Sequence, residues 1–393
     1  MAEYNPFHRG HEYQIKKIKE ELGVDYIVAV MSGNFVMRGE PALYNKFLRA
    51  KAATLSGVDL VIGLPVCYAL SSAEYFAKGA VALLNSLNIV DYISFGSECG
   101  DISALSEIAE TLLKEETIES IKEKSKTGVP VFEAYSSLFD EEKQEILKSP
   151  NNVLAINYIK ALKNLKSNMI PHTVKRIKSG YNDKMPTEEF ASATAIREFL
   201  KENRDISLYL PENCTEIFKD AEPSFEEEFS QSLIYSLRVK EKEEYLKYAD
   251  VGEGLHNLIK RASTENSSIY DVAMGIKSKR YSYTRIKRIL YNIYLDIPSF
   301  MRENSPECAK VLAFNEKGKE LLAEIKKVLD IPIFTNETRE MYDKFKTLDV
   351  EKRADNIYKL ICGKKQGFTE KIILWKNVKY FQKITWKNRV ATV

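Results

Sequence analysis

Two histidines, His8 and His11, sit in the run His8-Arg9-Gly10-His11, directly after Tyr4-Asn5-Pro6-Phe7. At a helix start, free backbone N–H groups favour an anion, and a small residue between the histidines would let a nucleotide lie against the backbone. Imidazoles placed there can donate hydrogen bonds to phosphate oxygens as charge builds during displacement at the α-phosphorus. A metal is the lesser reading, because no third ligand stands at a recognisable spacing. The chain has four histidines, and two ordinary surface histidines would give the same pattern. Spacing alone leaves nucleotide binding and a structural role open.

A second run, Ser192-Ala193-Thr194-Ala195-Ile196-Arg197, follows Phe190-Ala191. Ser192 and Thr194 read as a helix N-terminus with amides available to an anion, and Arg197 as a side chain able to reach a leaving pyrophosphate. Taken alone, a plain capped helix with a solvated arginine explains it equally well. The third run spans Lys277 to Arg288. It carries Lys277, Lys279, Arg280, Arg285, Lys287 and Arg288 with no acid, interleaved with Tyr281 and Tyr283. Basic side chains neutralise phosphates and tyrosines stack on unpaired bases. A helix from Thr284 would put Arg285 and Arg288 on one face and Ile286, Ile289 and Leu290 on another. Most charge runs are solvated faces, but the lack of acids in an otherwise balanced chain favours RNA contact.

These runs need elements to hold them. Val24–Met31, Val58–Leu64 and Ile89–Phe95 read as buried parallel strands, apolar and β-branched without strict alternation. Amphipathic stretches lie near Glu12–Leu22, Lys46–Ser56 and Ala73–Leu87, and a helical region from about Ser103 to Leu165 precedes a strand-like run, Met169–Ile177. The alternation predicts an α/β class, a doubly wound parallel sheet whose ligands sit at the carboxyl ends of the strands. After about Asn203 helical, charge-laced segments take over with no clear βαβ unit. The expected division is a nucleotide-binding, Rossmann-like domain over 1–205 and a mainly helical domain over 206–393. The second domain, holding the basic run, would bind RNA and stay clear of the nucleotide chemistry.

Composition narrows the class. The 393 residues carry 58 basic and 56 acidic side chains, so net charge argues for no partner and clustering must decide. Five cysteines, odd in number and without a Cys-x-x-Cys pair, fit reduced thiols in a cytosol. No basic-then-apolar leader opens the chain, and the apolar stretch Leu60–Leu70 falls far short of the roughly 20 residues that span a bilayer. A soluble cytoplasmic protein with no membrane partner is expected.

Together the first two runs resemble the nucleotidyltransferase superfamily with its His-x-Gly-His signature. Five further runs narrow that likeness: Glu3–His11, Met31–Phe35 with Arg38–Ala42, Phe95–Glu98, Pro150–Leu154 and Arg176–Tyr181. The chain is similar to the bacterial tRNA(Met) cytidine acetate ligases from residue 3 to about 330. That resemblance implies attack of acetate on ATP to give acetyl-adenylate, then transfer to N4 of the wobble cytidine of elongator tRNA(Met). It implies ATP contacts from Ala2, Glu3, Tyr4, Asn5, Pro6, Phe7, His8, Arg9, Gly10 and His11, and from Gly96, Asn151, Asn152, Arg176 and Ile177. His8 and His11 would act on the phosphates, with Ser192, Thr194 and the catalytic Arg197 on the pyrophosphate side. Mg2+ is expected with ATP, no metal is expected on the protein itself, and DNA is not a partner.

Other residues near strand ends add detail. Gly96 lacks a Cβ and would admit adenine or ribose. Arg38 and Lys46 could complement a carboxylate or phosphate, while Glu40 and Glu74 are weak candidates for a base. Two features depart from the family. Only Met1 and Ala2 precede Glu3, so the first strand is mostly missing, and either the start lies upstream or the nucleotide site is compromised. The tail from Ile372, basic and aromatic, is unfamiliar. Two competitors remain, a small-molecule nucleotidyltransferase of the phosphopantetheine or nicotinamide mononucleotide adenylyltransferase kind, and an RNA-binding protein with a decayed nucleotide site.

Overall fold

The structure, a computed structural model, describes residues 1–127, 131–177, 190–252, 254–367, 373–375 and 389–393. Residues 178–181 of the fifth motif run and most of the tail from Ile372 therefore lie outside the described residues.

The expected strands form as β1 (Tyr26–Ser32), β2 (Leu60–Leu64), β3 (Tyr92–Ser97) and β4 (Ile170–Lys175). Every residue of β1 is buried, as a strand covered on both faces requires. Helices α1 (Arg9–Leu22), α2 (Lys46–Leu55), α3 (Ala73–Asn85) and α4 (Pro150–Asn164) cover the faces, and α5 (Ala193–Lys201) follows β4. The second half adds α6 (Tyr283–Tyr294) and α7 (Lys346–Gln366) among shorter helices.

It also adds strands, which corrects the expectation that strands stop near Asn203. β5 (Ala309–Asn315), β6 (Ile333–Phe334), β7 (Ile373–Trp375) and β8 (Val390–Thr392) all join the sheet of the first half. The order is β4-β3-β8-β1-β2-β5-β6, with β7 also on β5. All neighbours are parallel except β2 and β5, which run antiparallel from Leu60↔Phe314. β6, β7 and β8 are two or three residues long, and the seven-residue β5 pairs with the distant β2, so no local period announces them.

β8 and Ala2 share one row of the sheet beside β1. Val390, Ala391 and Thr392 pair with Tyr26, Ile27 and Val28, and the Val393 amide donates to Val28 O at 3.1 Å. Farther along β1 the row resumes with Ala2 bridged to Met31, its amide donating to Val30 O at 2.9 Å. The tail supplies β-branched, apolar residues to a slot buried on both faces. The first loop thus leaves the sheet from a paired row beside β1.

Candidate active site

His8 takes an extended conformation (φ −145°, ψ 170°) and caps α1 with its own ring. Its Nδ1 accepts from the Gly10 amide at 3.1 Å, and its own amide donates to His11 Nδ1 at 3.2 Å. Each ring therefore carries its proton on Nε2, because Nδ1 is occupied as an acceptor. The rings lie tilted by 31° with centroids 3.8 Å apart, and Tyr4 and Phe7 pack on His11. Burial, with the nearby Arg176 and Arg197 guanidinium groups, pulls His8 down to about 3; burial and then the His8 neighbour push His11 well below the ordinary value. Both are neutral Nε2–H donors. The glycine between them serves a purpose the sequence did not suggest: a Cβ at Gly10 would stand 2.8 Å from His8 Cε1.

Across from them, Ser192 caps α5 by accepting from the Ala195 amide at 3.1 Å. Arg197 donates through Nη1 to Asn5 O and through Nη2 to Thr194 Oγ1, both at 3.1 Å. One guanidinium thereby ties the second motif to the loop that carries the first. The cleft between them encloses about 1550 Å³ including its open mouth. Its lining brings together Ala2, Glu3, Tyr4, Asn5, His8, His11, Gly96, Asn151, Arg176, Ser192, Thr194 and Arg197, while Gly10 and Ile177 line an adjoining recess. Arg38, Arg176, Arg197 and Arg288 make it strongly cationic, and Phe76, Phe95, Leu154 and Tyr158 give it an apolar end. The Tyr4 and Tyr158 hydroxyls are buried without a hydrogen-bond partner among the described residues. The apolar residues and Tyr158 were not legible as site residues, since nothing local separates them from core.

Four residues expected to contact ATP do not line this space. Pro6 and Phe7 are buried in the core behind it. Arg9 lines a different groove with Glu12, Lys16 and Lys19. Asn152 is buried, its Oδ1 accepting from the Glu98 and Cys99 amides at 2.8 and 3.2 Å, so it shapes the loop after β3. Gly96 lines the cleft, but a Cβ there would come within 3.3 Å of Arg176 Cγ, so part of its space serves the arginine stem.

Lys46 is not available to a substrate. It is buried and paired with Glu351 Oε1 at 2.9 Å and Asp355 Oδ2 at 2.5 Å, both on α7. Burial alone would lower its pKa, but Asp355 and Glu351 outweigh that and hold it charged. Glu74 is exposed, 3.6 Å from Lys160. Glu40 Oε2 accepts from Lys287 at 3.0 Å and its Oε1 stands 3.9 Å from Arg197 Nε, an ion-paired position.

Residues 1–371 match the HIGH nucleotidyl transferase family. A tRNA(Met) cytidine acetate ligase of Thermoanaerobacter sp. (strain X514) is 43% identical over 92% of this chain and 94% of its own length. One from Clostridium novyi (strain NT) is 42% identical, covering 89% and 92%. The chain belongs to this ligase family. The crystal structure of Thermotoga maritima TmcAL bound with alpha-thio ATP superposes with a TM-score of 0.87 at 30% identity, covering 95% of this chain and 98% of that one. An apo form of the same protein gives 0.88.

Within this ligase framework the basic run divides. Lys277, Lys279 and Arg280 are exposed before α6, and Arg285 lies over the Tyr281 ring and 3.3 Å from Asp250. Tyr283, half-buried, packs near Tyr270. Lys287 instead is buried, 3.0 Å from both Glu40 and Glu226, and so cannot offer its charge to a phosphate. Burial lifts Glu226 to about 7 despite Lys287. Arg288 donates to Met37 O at 3.3 Å and, with Thr284, lines the cleft. This corrects the expectation that the run stays clear of the nucleotide chemistry: α6 forms one wall of the site.

Proposed function

We propose that this chain activates acetate with ATP and transfers the acetyl group to N4 of the wobble cytidine of elongator tRNA(Met). The observation that carries the reading is the pair of neutral Nε2–H donors facing Arg197 across a cationic cleft. Acetate attacks the α-phosphorus, and the bond to pyrophosphate breaks. His8 and His11 donate to the phosphate oxygens as their charge grows, and they do so without a proton change. Arg197, with Ser192 and Thr194, draws on the departing pyrophosphate. The apolar end near Phe76, Phe95 and Leu154 suits the acetyl methyl group, with the unpartnered Tyr158 hydroxyl at hand for its oxygen.

Mg2+ belongs to this reading as a companion of ATP. Among the described residues no group of three or more His, Cys, Asp or Glu converges on a point. That donor set fits an ion carried on the phosphates with most of its water shell, where it supplies charge neutralisation. We assign tRNA contact chiefly to residues 206–393 and, within them, to the exposed part of the basic run. The five cysteines are free, and no described helix is long and apolar enough to cross a membrane, which supports a cytoplasmic setting.

Acetate-dependent exchange of pyrophosphate into ATP, followed by nucleoside analysis of tRNA(Met), tests the proposal. We expect exchange that requires acetate and N4-acetylcytidine that requires both. Exchange that requires phosphopantetheine or nicotinamide mononucleotide instead would mean a small-molecule nucleotidyltransferase. RNA binding without any exchange would mean a decayed site.

A further inference from the structure

One side chain in the cleft has the wrong charge for its surroundings. The lining offers four arginines to anionic substrates, and among the described residues the single acid in it is Glu3. A carboxylate placed where triphosphate and acetate bind repels both, so it needs a donor to meet. Its Oε1 accepts from the Met37 amide at 2.7 Å, which fixes the group in place. Among the described residues no hydrogen bond reaches Oε2, and Glu3 lines the cleft. Met37 joins this carboxylate to the RNA side of the molecule, since its carbonyl accepts from Arg288 on α6. Lys277, Lys279 and Arg280, exposed just before α6, are the residues assigned above to the RNA backbone.

We propose that Glu3 is the catalytic residue that meets the cytidine N4 amine and takes its proton during acetyl transfer, an assignment that rests on the function proposed above. The amine nitrogen bonds to the acetyl carbonyl carbon, and the bond from that carbon to the AMP oxygen breaks with its electron pair staying on AMP. The N–H proton passes to Glu3 Oε2 and from there to water, so no further reactant is needed. Burial raises the affinity of Glu3 for a proton, against the pull of the Met37 amide and Arg38, which makes it a better acceptor than an exposed carboxylate. Activation of acetate makes no such demand, because acetate has no proton to lose.

Glu3→Gln tests the assignment, since its amide oxygen can keep the Met37 bond while the basic oxygen is lost. Two rates are read on the full chain: acetate-dependent pyrophosphate exchange without tRNA, and single-turnover transfer to tRNA(Met) from adenylate formed in advance. We expect transfer to fall at least about 10²-fold further than exchange, the usual share of one proton acceptor. The acidic limb of the transfer pH profile should vanish with it, and Glu3→Asp should recover part of the transfer rate. Equal losses in both rates, or a loss that added Mg2+ repairs, overturn the assignment and make Glu3 a structural or metal-side group. Exchange absent from the wild-type chain would instead defeat the proposed function itself.

Discussion

The histidine wall of the cleft is assembled within one helix start, whereas the α6 wall is held by partners hundreds of residues away. His8 and His11 fix each other through bonds spanning two and three positions. Lys287 joins Glu40 across 247 positions and Glu226 across 61. The local wall creates neutral donors by satisfying Nδ1 with backbone amides. The distant wall locks charges together, so that α6 is pinned against the hairpin formed by Phe35–Val36 and Glu40–Pro41. There the Gly39 backbone (φ +73°) lies so close to α6 that a Cβ would meet the Arg288 amide nitrogen at 2.5 Å. One wall sets chemistry and the other sets position.

Removing the cation that pins the second wall should have the largest effect. Lys287→Met leaves Glu40 and Glu226 buried without their shared partner, a loss of about 3 kcal/mol of stability. Urea unfolding reads it directly, and a second change, Glu226→Gln, should return part of the loss by removing one of the stranded charges. If Lys287 served RNA and not the fold, stability would stay level and tRNA binding alone would weaken.

The histidine wall should fail differently. His8→Ala should cost at least about 10²-fold in pyrophosphate exchange, the effect of losing one donor to developing charge. Its pH signature has a definite sign. His8 titrates near 3 in the fold, against an ordinary value of 6.5, so the unfolded chain takes up a proton that the folded chain refuses. Its contribution is therefore unaffected above about 6.5, and stability drains as pH falls from there towards 3. Thermal midpoints across that window should decline less steeply in the alanine variant than in the wild type.

The same contrast governs what could be read in the sequence. His8, Gly10, His11 and Ser192 declare themselves because their partners are a few residues away and their spacing is the signal, whereas Arg197 also reaches Asn5 O across 192 positions. Strands β1 to β3 declare themselves by largely apolar runs. Lys46 looks like a substrate lysine until Glu351 and Asp355 arrive from α7, and Asn152 looks like a ligand until Glu98 and Cys99 claim it. β8 is the extreme case: Val390, Ala391 and Thr392 lie between β1 and β3, and only those distant partners give them meaning. Contacts made across the fold leave no period in the chain.

The smallest expected effect falls outside both walls, on the exposed part of the basic run. Substituting Lys279, Arg280 and Arg285 with alanine spares the buried Lys287 and the cleft-lining Arg288, so neither wall is disturbed. Arg285 gives up its contact with Asp250, but that pair is solvent-exposed and worth under about 1 kcal/mol. Acetate-dependent exchange without tRNA should therefore hold, because the proposed site for ATP and acetate lies between the two walls. Affinity for tRNA should fall, and its dependence on salt should flatten by about 0.7–0.9 in the log–log slope for each phosphate contact removed. The measurement is tRNA binding across a salt series, beside acetylcytidine yield at low and high tRNA. Yield should recover at high tRNA, since the variant weakens docking and leaves the chemistry alone. An unchanged salt slope would make the run a solvated face, and the RNA surface would then have to be sought around Lys163–Lys178.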